Sequence, residues 1–219
     1  MKTPFKAFFN IHFLRAFFSL LFLLFSFASV AQKKLHKMVL ADNVALIQLN
    51  TAHFFEVNLN TVSGNEVVVE ANMEGEYSRE LDLDLKNDGE TLFIEANFVP
   101  NFENPNDKLS AHKVVSILLN ISVPEFKAVA IYGTSSRVNA AGVFKDLQIV
   151  LSDGTINLTN IHGTVQLKTQ SGAINVKTSA ANIEAESKYG KVSKNPIPKG
   201  DSRYTLKTVT GNIELSKTE

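Results

Sequence analysis

Cysteine and tryptophan are both absent from the 219 residues. Without Cys there is no disulfide, no thiolate catalysis, no Cys-ligated zinc and no lipid attachment through Cys. Without Trp, sugar stacking on an indole is excluded. Positive charge is also thin. Three of the 22 Lys and Arg lie in the first 31 residues, which hold no Asp or Glu, so the remainder has 19 basic against 22 acidic residues, net −3. Phosphate binding needs concentrated Lys and Arg, so nucleic acid is not an expected partner. After residue 31 no segment is long and apolar enough to span a bilayer, which takes about 20 residues.

What is present begins with an uneven start. Nine of the 16 Phe lie within the first 31 residues. Lys2, Lys6 and Arg15 precede the apolar run from Ala16 to Ala28, and the small residues Ser29-Val30-Ala31 follow. A basic start, a short apolar stretch and small residues at −3 and −1 form a secretory signal, with the cut after Ala31. A retained anchor is the alternative, but the run is short for one. The expected product, Gln32 to Glu219, works outside the cytoplasm, in the periplasm or at the cell surface. It owes its stability to packing rather than to cross-links.

Period-two alternation then recurs: Phe55 to Leu59, Glu66 to Glu70, Leu81 to Leu85 and Thr91 to Glu95. Asn87-Asp88-Gly89 supplies the hairpin turn between the last two. Val114 to Val123 is a longer apolar run, read as a strand buried on both faces and ended by Pro124. The polar stretch from Phe98 to Lys113, with Pro100 and Pro105, reads as a loop. Residues 32–125 are thus an N-terminal strand region, forming either the first coils or a cap.

Residues 126–219 repeat. Gly133, Gly154, Gly172, Gly190 and Gly211 each open a β-type stretch, at spacings of 21, 18, 18 and 21. Weaker copies at Gly142, Gly163, Asn182 and Gly200 lie halfway between. The second residue after each turn is apolar and predicted to point inward: Ile156, Val165, Ile174, Ile183, Val192 and Ile213. The residues that follow them, Asn157, Gln166, Asn175 and Glu214 among them, point out. A fixed period of 18–21 residues with this alternation predicts a β-solenoid. The expectation is an all-β, right-handed parallel β-helix with positive φ at the glycine corners. An antiparallel sandwich with regular turns is the competing architecture. Asn157 and Asn175, equivalent in adjacent coils, are placed to stack as an amide ladder.

Leu151-Ser-Asp-Gly-Thr-Ile-Asn-Leu158 and Thr169-Gln-Ser-Gly-Ala-Ile-Asn-Val176 resemble the bacterial "putative adhesin" families, including the GIN domain of Bacteroidetes. The resemblance runs from about Val44 to Ser216 and implies export and a parallel β-helix. It brings no catalytic residues, because its motifs encode coil geometry. Tyr189 to Pro196 departs from the pattern, and the two prolines at 196 and 198 predict a loop before Ser202 resumes the stack.

Chemistry is sparse. Asp82 and Asp84 alternate with Leu81, Leu83 and Leu85 and mark a solvent face rather than a calcium site. His36, His53, His112 and His162 show no metal-ligand spacing. No G-x-S-x-G elbow or phosphate loop occurs. No metal, cofactor or catalysis is expected, leaving a polysaccharide-active β-helix enzyme as the least favoured reading. Tyr132 and Tyr189 each precede a repeat Gly, so the pattern puts them on one corner, three coils apart, with Asp153 and Ser171 between. This row is the candidate contact surface for a glycan or an envelope protein. The alternative is a structural role in which the solenoid associates with itself, giving an oligomer.

Overall fold

The computed structural model describes Arg15, Gln32–Gly75, Tyr77–Phe102 and Val115–Thr218. The expected export signal, apart from Arg15, and most of the expected loop, with Asp107 and His112, lie outside these residues. Gln32–Glu219 form one compact unit. Its strands are β1 (Gln32–Leu40), β2 (Leu46–Asn50), β3 (Glu56–Val62), β4 (Glu66–Gly75), β5 (Leu81–Asp88), β6 (Thr91–Phe98), β7 (Val115–Pro124) and β8 (Ala128–Tyr132). They continue with β9 (Arg137–Leu151), β10 (Ile156–Thr169), β11 (Ile174–Thr178), β12 (Asn182–Ser187), β13 (Val192–Lys194), β14 (Arg203–Thr208) and β15 (Ile213–Lys217).

The strands form two facing rows. Face A runs β5-β6-β2-β8-β9-β10-β14-β12, and face B runs β1-β4-β7-β3-β9-β10-β11-β15-β13. β9 and β10 serve both faces because they bend at Gly142 and Gly163, whose φ values are +122° and +121°. Each rung is a face-A strand, a turn and a face-B strand. The rungs pair in parallel, as expected of a solenoid: Ile156 with Val138 and Ile174, and Leu167 with Ile149 and Leu206. The sheet as a whole is mixed, however, because β1, β4 and β7 pair antiparallel, as do β5 and β6. The expectation of a purely parallel helix fails at this end. β2 and β3 form a true rung, whereas β4 to β7 are an excursion between β3 and β8 that extends both faces.

Alternation positions the core. On face B, Leu119, Val57, Val138, Ile156, Ile174 and Ile213 form one continuous inward row. All six are at most 1% exposed. Each such side chain contributes about 1.5–3 kcal/mol on burial. β7 also alternates, with Ile117, Leu119, Ile121 and Val123 buried while Ser116, Leu118, Asn120 and Ser122 are half-buried. Its long apolar run therefore does not mean burial on both faces. The β5–β6 hairpin closes through Gly89-Glu90, with Gly89 at φ +59°, the geometry of a two-residue turn with Gly first.

Two features depart from the repeat. The rungs do not stack in chain order. β14 pairs with both β10 and β12, and β15 with both β11 and β13, so the rung formed last in the chain sits inside the one before it. The Pro196–Pro198 break thus lets the chain step to the outer position and return. The corner glycines also act differently from expectation. Gly154, Gly172, Gly190 and Gly211 do not have positive φ. A Cβ on Gly172 would lie 1.8 Å from the Gly154 carbonyl oxygen, and one on Gly154 would lie 2.2 Å from that of Ser136. Glycine is required there by close rung stacking.

Candidate functional site

The turns from face A to face B form one edge of the stack, and the register fixes which residues share a position. Tyr132 pairs with Val150, and Val138 with Ile156, with five residues between them in both rungs. Ser135 is therefore the counterpart of Asp153, and Ser136 of Gly154. Carried on, the exposed row reads Ser135, Asp153, Ser171, Thr210, Tyr189. Asp153 and Ser171 occupy one corner as expected. Tyr189 shares it too, but Thr210 comes between, because of the exchanged rungs. Tyr132 does not: it ends β8 on face A, three residues before the corner, and its hydroxyl reaches Gln148 Oε1 at 3.5 Å. Gly133 matches Leu151 rather than Gly154, so the two Tyr-Gly pairs are not equivalent.

The edge is held by main-chain bonds between rungs. The amides of Ser152, Asp153 and Gly154 donate to Thr134 O at 3.0 Å, and those of Gln170 and Ser171 to Ser152 O at 2.8 Å. Buried hydroxyls brace it from within: Thr169 Oγ1 donates to Gly172 O at 2.8 Å, and Ser136 Oγ to Phe54 O at 2.7 Å. Side chains of Asp153, Ser171 and Tyr189 stay free to face solvent. Tyr189 is 71% exposed, with Lys188 Nζ 5.1 Å from its ring centroid.

At its first two rungs the edge leads into an aromatic depression of about 270 Å³, lined by His53, Phe55, Leu81, Phe98 and Ser135 among others. His53 meets Phe98 edge-on at 5.7 Å, Phe98 stacks on Phe102 at 4.4 Å, and Tyr77 meets Phe102 at 5.2 Å. Phe55 is 56% exposed and carries the Arg137 guanidinium 5.5 Å from its ring centroid. Arg137 also pairs with Glu56 at 3.2 Å. Sequence reasoning missed this cluster, whose signal was Phe98 and Phe102 on either side of Pro100 in otherwise polar chain. Among the described residues no group of three or more His, Asp or Glu is placed to hold a metal. Among them, too, no helix is long and apolar enough to cross a membrane.

A solved structure from Clostridium sporogenes, described as a "putative cell adhesion protein", is similar over 86% of this chain and 100% of its own, at 15% identity and a TM-score of 0.62. At that identity the likeness shows the fold. A "putative adhesin" from Bacteroides fragilis matches 84% of this chain and 97% of its own at 12% identity, with a TM-score of 0.34. No curated protein matches the chain in sequence. The Toastrack DUF4097 family matches residues 29–218, almost the whole chain outside its first 28 residues, and the protein belongs to that family.

Proposed function

We infer that this is an exported, non-catalytic binding module of the cell envelope, of the adhesin type, whose ligand lies along the turn edge. The observation that carries this reading is the row Ser135, Asp153, Ser171, Thr210 and Tyr189, one outward side chain per rung. At about 4.8 Å per strand it spans about 19 Å. It is rigid in its main chain, varied in its side chains and continuous with the aromatic depression. Such a surface suits an extended glycan or a protein segment. The basic, apolar and small-residue order of Lys2 to Ala31 supports export, and the description of the Clostridium sporogenes structure that shares the fold, a "putative cell adhesion protein", supports an envelope role. The assembly reading draws on β12 and β13, whose outer edges have no partner strand among the described residues.

The test is retention of whole cells or envelope extract by the immobilised protein, compared with Tyr189→Ala and Asp153→Lys. The inferred surface requires both substitutions to weaken capture at an unchanged thermal midpoint. Undiminished capture by both folded variants overturns the turn-edge assignment.

A further inference from the structure

We propose that the outer side of face B carries a second binding surface, an asparagine-lined hollow that takes an uncharged, hydroxyl-rich chain, a neutral polysaccharide laid across the strands. The proposal rests on the binding-module reading but uses a different surface from the turn edge.

Five asparagines form one row. Asn58 Nδ2 donates to Asn120 Oδ1 at 3.0 Å, Asn139 to Asn58 at 2.8 Å, Asn157 to Asn139 at 2.7 Å and Asn175 to Asn157 at 2.8 Å. All donate in the same direction, so each amide is held by its neighbour. An amide has two N–H donors and two acceptor lone pairs. The row uses one N–H each from Asn58, Asn157 and Asn175, and Asn139 spends its second on Glu56 Oε1 at 3.0 Å. Donors and lone pairs therefore remain, repeated at about 4.8 Å on a half-buried, outward face.

Beside this row the side chains shorten. Ala141 lies between Asn60 and Thr159 in register. Its methyl group leaves a hollow of about 390 Å³ framed by Asn58, Asn60, Asn139, Asn157 and Thr159. That volume is within the range of small-molecule sites.

Charge selects the ligand class. The asparagine row meets carboxylates at its ends, Glu70 beside Asn120 and Glu214 beside Asn175. Glu56 is neutralised by Arg137. An anionic polymer along the row meets these end carboxylates, and among the hollow's lining residues there is no cation; Lys177, exposed beside Thr159, adjoins the rim. An apolar ligand covers the amides and leaves their spare donors and lone pairs without partners, which is unfavourable. Hydroxyls both donate and accept, which matches the amides, and the pre-set ladder reduces the ordering cost of binding.

The experiment is affinity electrophoresis of the purified protein through gels containing dextran, mannan, β-1,3-glucan or, for contrast, alginate. The expected result is retardation by at least one neutral polysaccharide and not by alginate. Ala141→Leu, which fills the hollow, should weaken that retardation at least tenfold, and Lys207→Ala, exposed on face A, should leave it unchanged. If Ala141→Leu does not fold, Asn60→Leu at the rim gives the same readout. Neutral-glycan binding that survives the filled hollow overturns the proposal, as does binding to alginate alone or to none of the four. Glycan retardation lost with Tyr189→Ala and kept with Ala141→Leu overturns it while upholding the turn edge. Cell capture that depends on Tyr189, with no neutral-glycan retardation, does the same.

Discussion

Gly211 stacks on Gly172: a Cβ at position 211 would lie 2.1 Å from the Gly172 carbonyl oxygen, although 39 residues of chain separate the two. Gly190 in turn stacks on Gly211, at 2.0 Å for the same added atom. The corner glycines are a column of contacts between main chains, and the column states the rung order directly.

Substitution at Gly172 should therefore fail for lack of space. Any Cβ meets the Gly154 carbonyl at 1.8 Å, and neither partner is a flexible side chain that can turn away. Gly172→Ala is expected to cost about 3 kcal/mol, the upper part of the range for overpacking. Asn tolerates left-handed backbone, so a φ-driven requirement would be eased by Gly172→Asn. Stacking predicts that Asn is at least as harmful as Ala. Urea midpoints of the two variants decide this, and an Asn variant clearly more stable than the Ala variant would count against the stacking account.

Tyr204 is the polar exception in the core. It is fully buried and its hydroxyl donates to the carbonyl of Ile161, next to Asn160, whose φ is +46°. The register shifts between Thr159 and Ile161, so the tyrosine bonds a carbonyl at an irregularity in the ladder. Tyr204→Phe should cost about 1–3 kcal/mol by leaving that carbonyl without its donor. Burial raises the phenol's pKa above 10.0, and a hydrogen bond with Thr178 opposes the shift. The unfolded phenol ionises first. The stability tied to this group is complete below about pH 10 and is lost as pH rises through the higher folded value. Stability measured against pH should show wild type losing more than Tyr204→Phe above pH 10, and equal losses would deny the linkage.

The asparagine ladder gives a prediction with its own pH signature. Asn157→Asp at neutral pH sets a carboxylate against the acceptor Asn139 Oδ1, replacing the 2.7 Å bond by repulsion. The expected loss is about 1–2 kcal/mol. Once protonated, the new side chain can donate to Asn139 and still accept from Asn175. The difference from wild type should shrink below about pH 4, the ordinary range of an aspartate. A difference that does not change with pH would mean that the ladder bond contributes little.

Much of the fold was legible because alternation encodes which side of a strand faces inward. Ile156, Val165, Ile174 and Ile213 are all buried, and Asn157 and Asn175 do join in a ladder. Alternation does not encode which rung lies next. Asn182-Ile-Glu-Ala185 and Arg203-Tyr-Thr-Leu206 alternate alike, and by pattern alone either could lie against Thr164–Leu167 on face A. The Tyr132 placement failed for a related reason. Gly133 resembles the other corner glycines, but Ser136 takes the stacking position in that rung, and only strand register shows it. The aromatic depression brings Phe55 and Phe98 into one lining, a juxtaposition that no local pattern announces.

The far end of the stack is closed by lysines. Lys33 and Lys37 lie on the inward side of β1, and their ammonium groups donate to the β5 carbonyls of Leu81 and Leu83. Inward charge on an edge strand is a barrier to pairing with other chains. Changing both lysines to Met removes the donors to the Leu81 and Leu83 carbonyls, so the thermal midpoint should fall modestly, and the β5 edge should be released. Concentration-dependent sedimentation is expected of the double variant and not of the parent. A double variant with parental sedimentation would mean that the lysines do not guard this edge.

Rung order itself can be read in solution. In the structure β12 and β13 are outermost, while β14 and β15 are paired on both sides. Edge strands open at lower free energy than strands bonded on both sides. The amide of Ile213 donates to Lys191 O and that of Ile174 to Asn212 O, so β15 is locked between neighbours. Hydrogen exchange should therefore be faster across Val192–Lys194 and the outward-pointing amides of β12 than across Ile213–Ser216, although the latter lie closer to the end of the chain. Stacking in chain order would make the last strand the exposed one and reverse the result. Peptide-resolved exchange separates the two arrangements without any substitution, because it reports which strand has lost a neighbour.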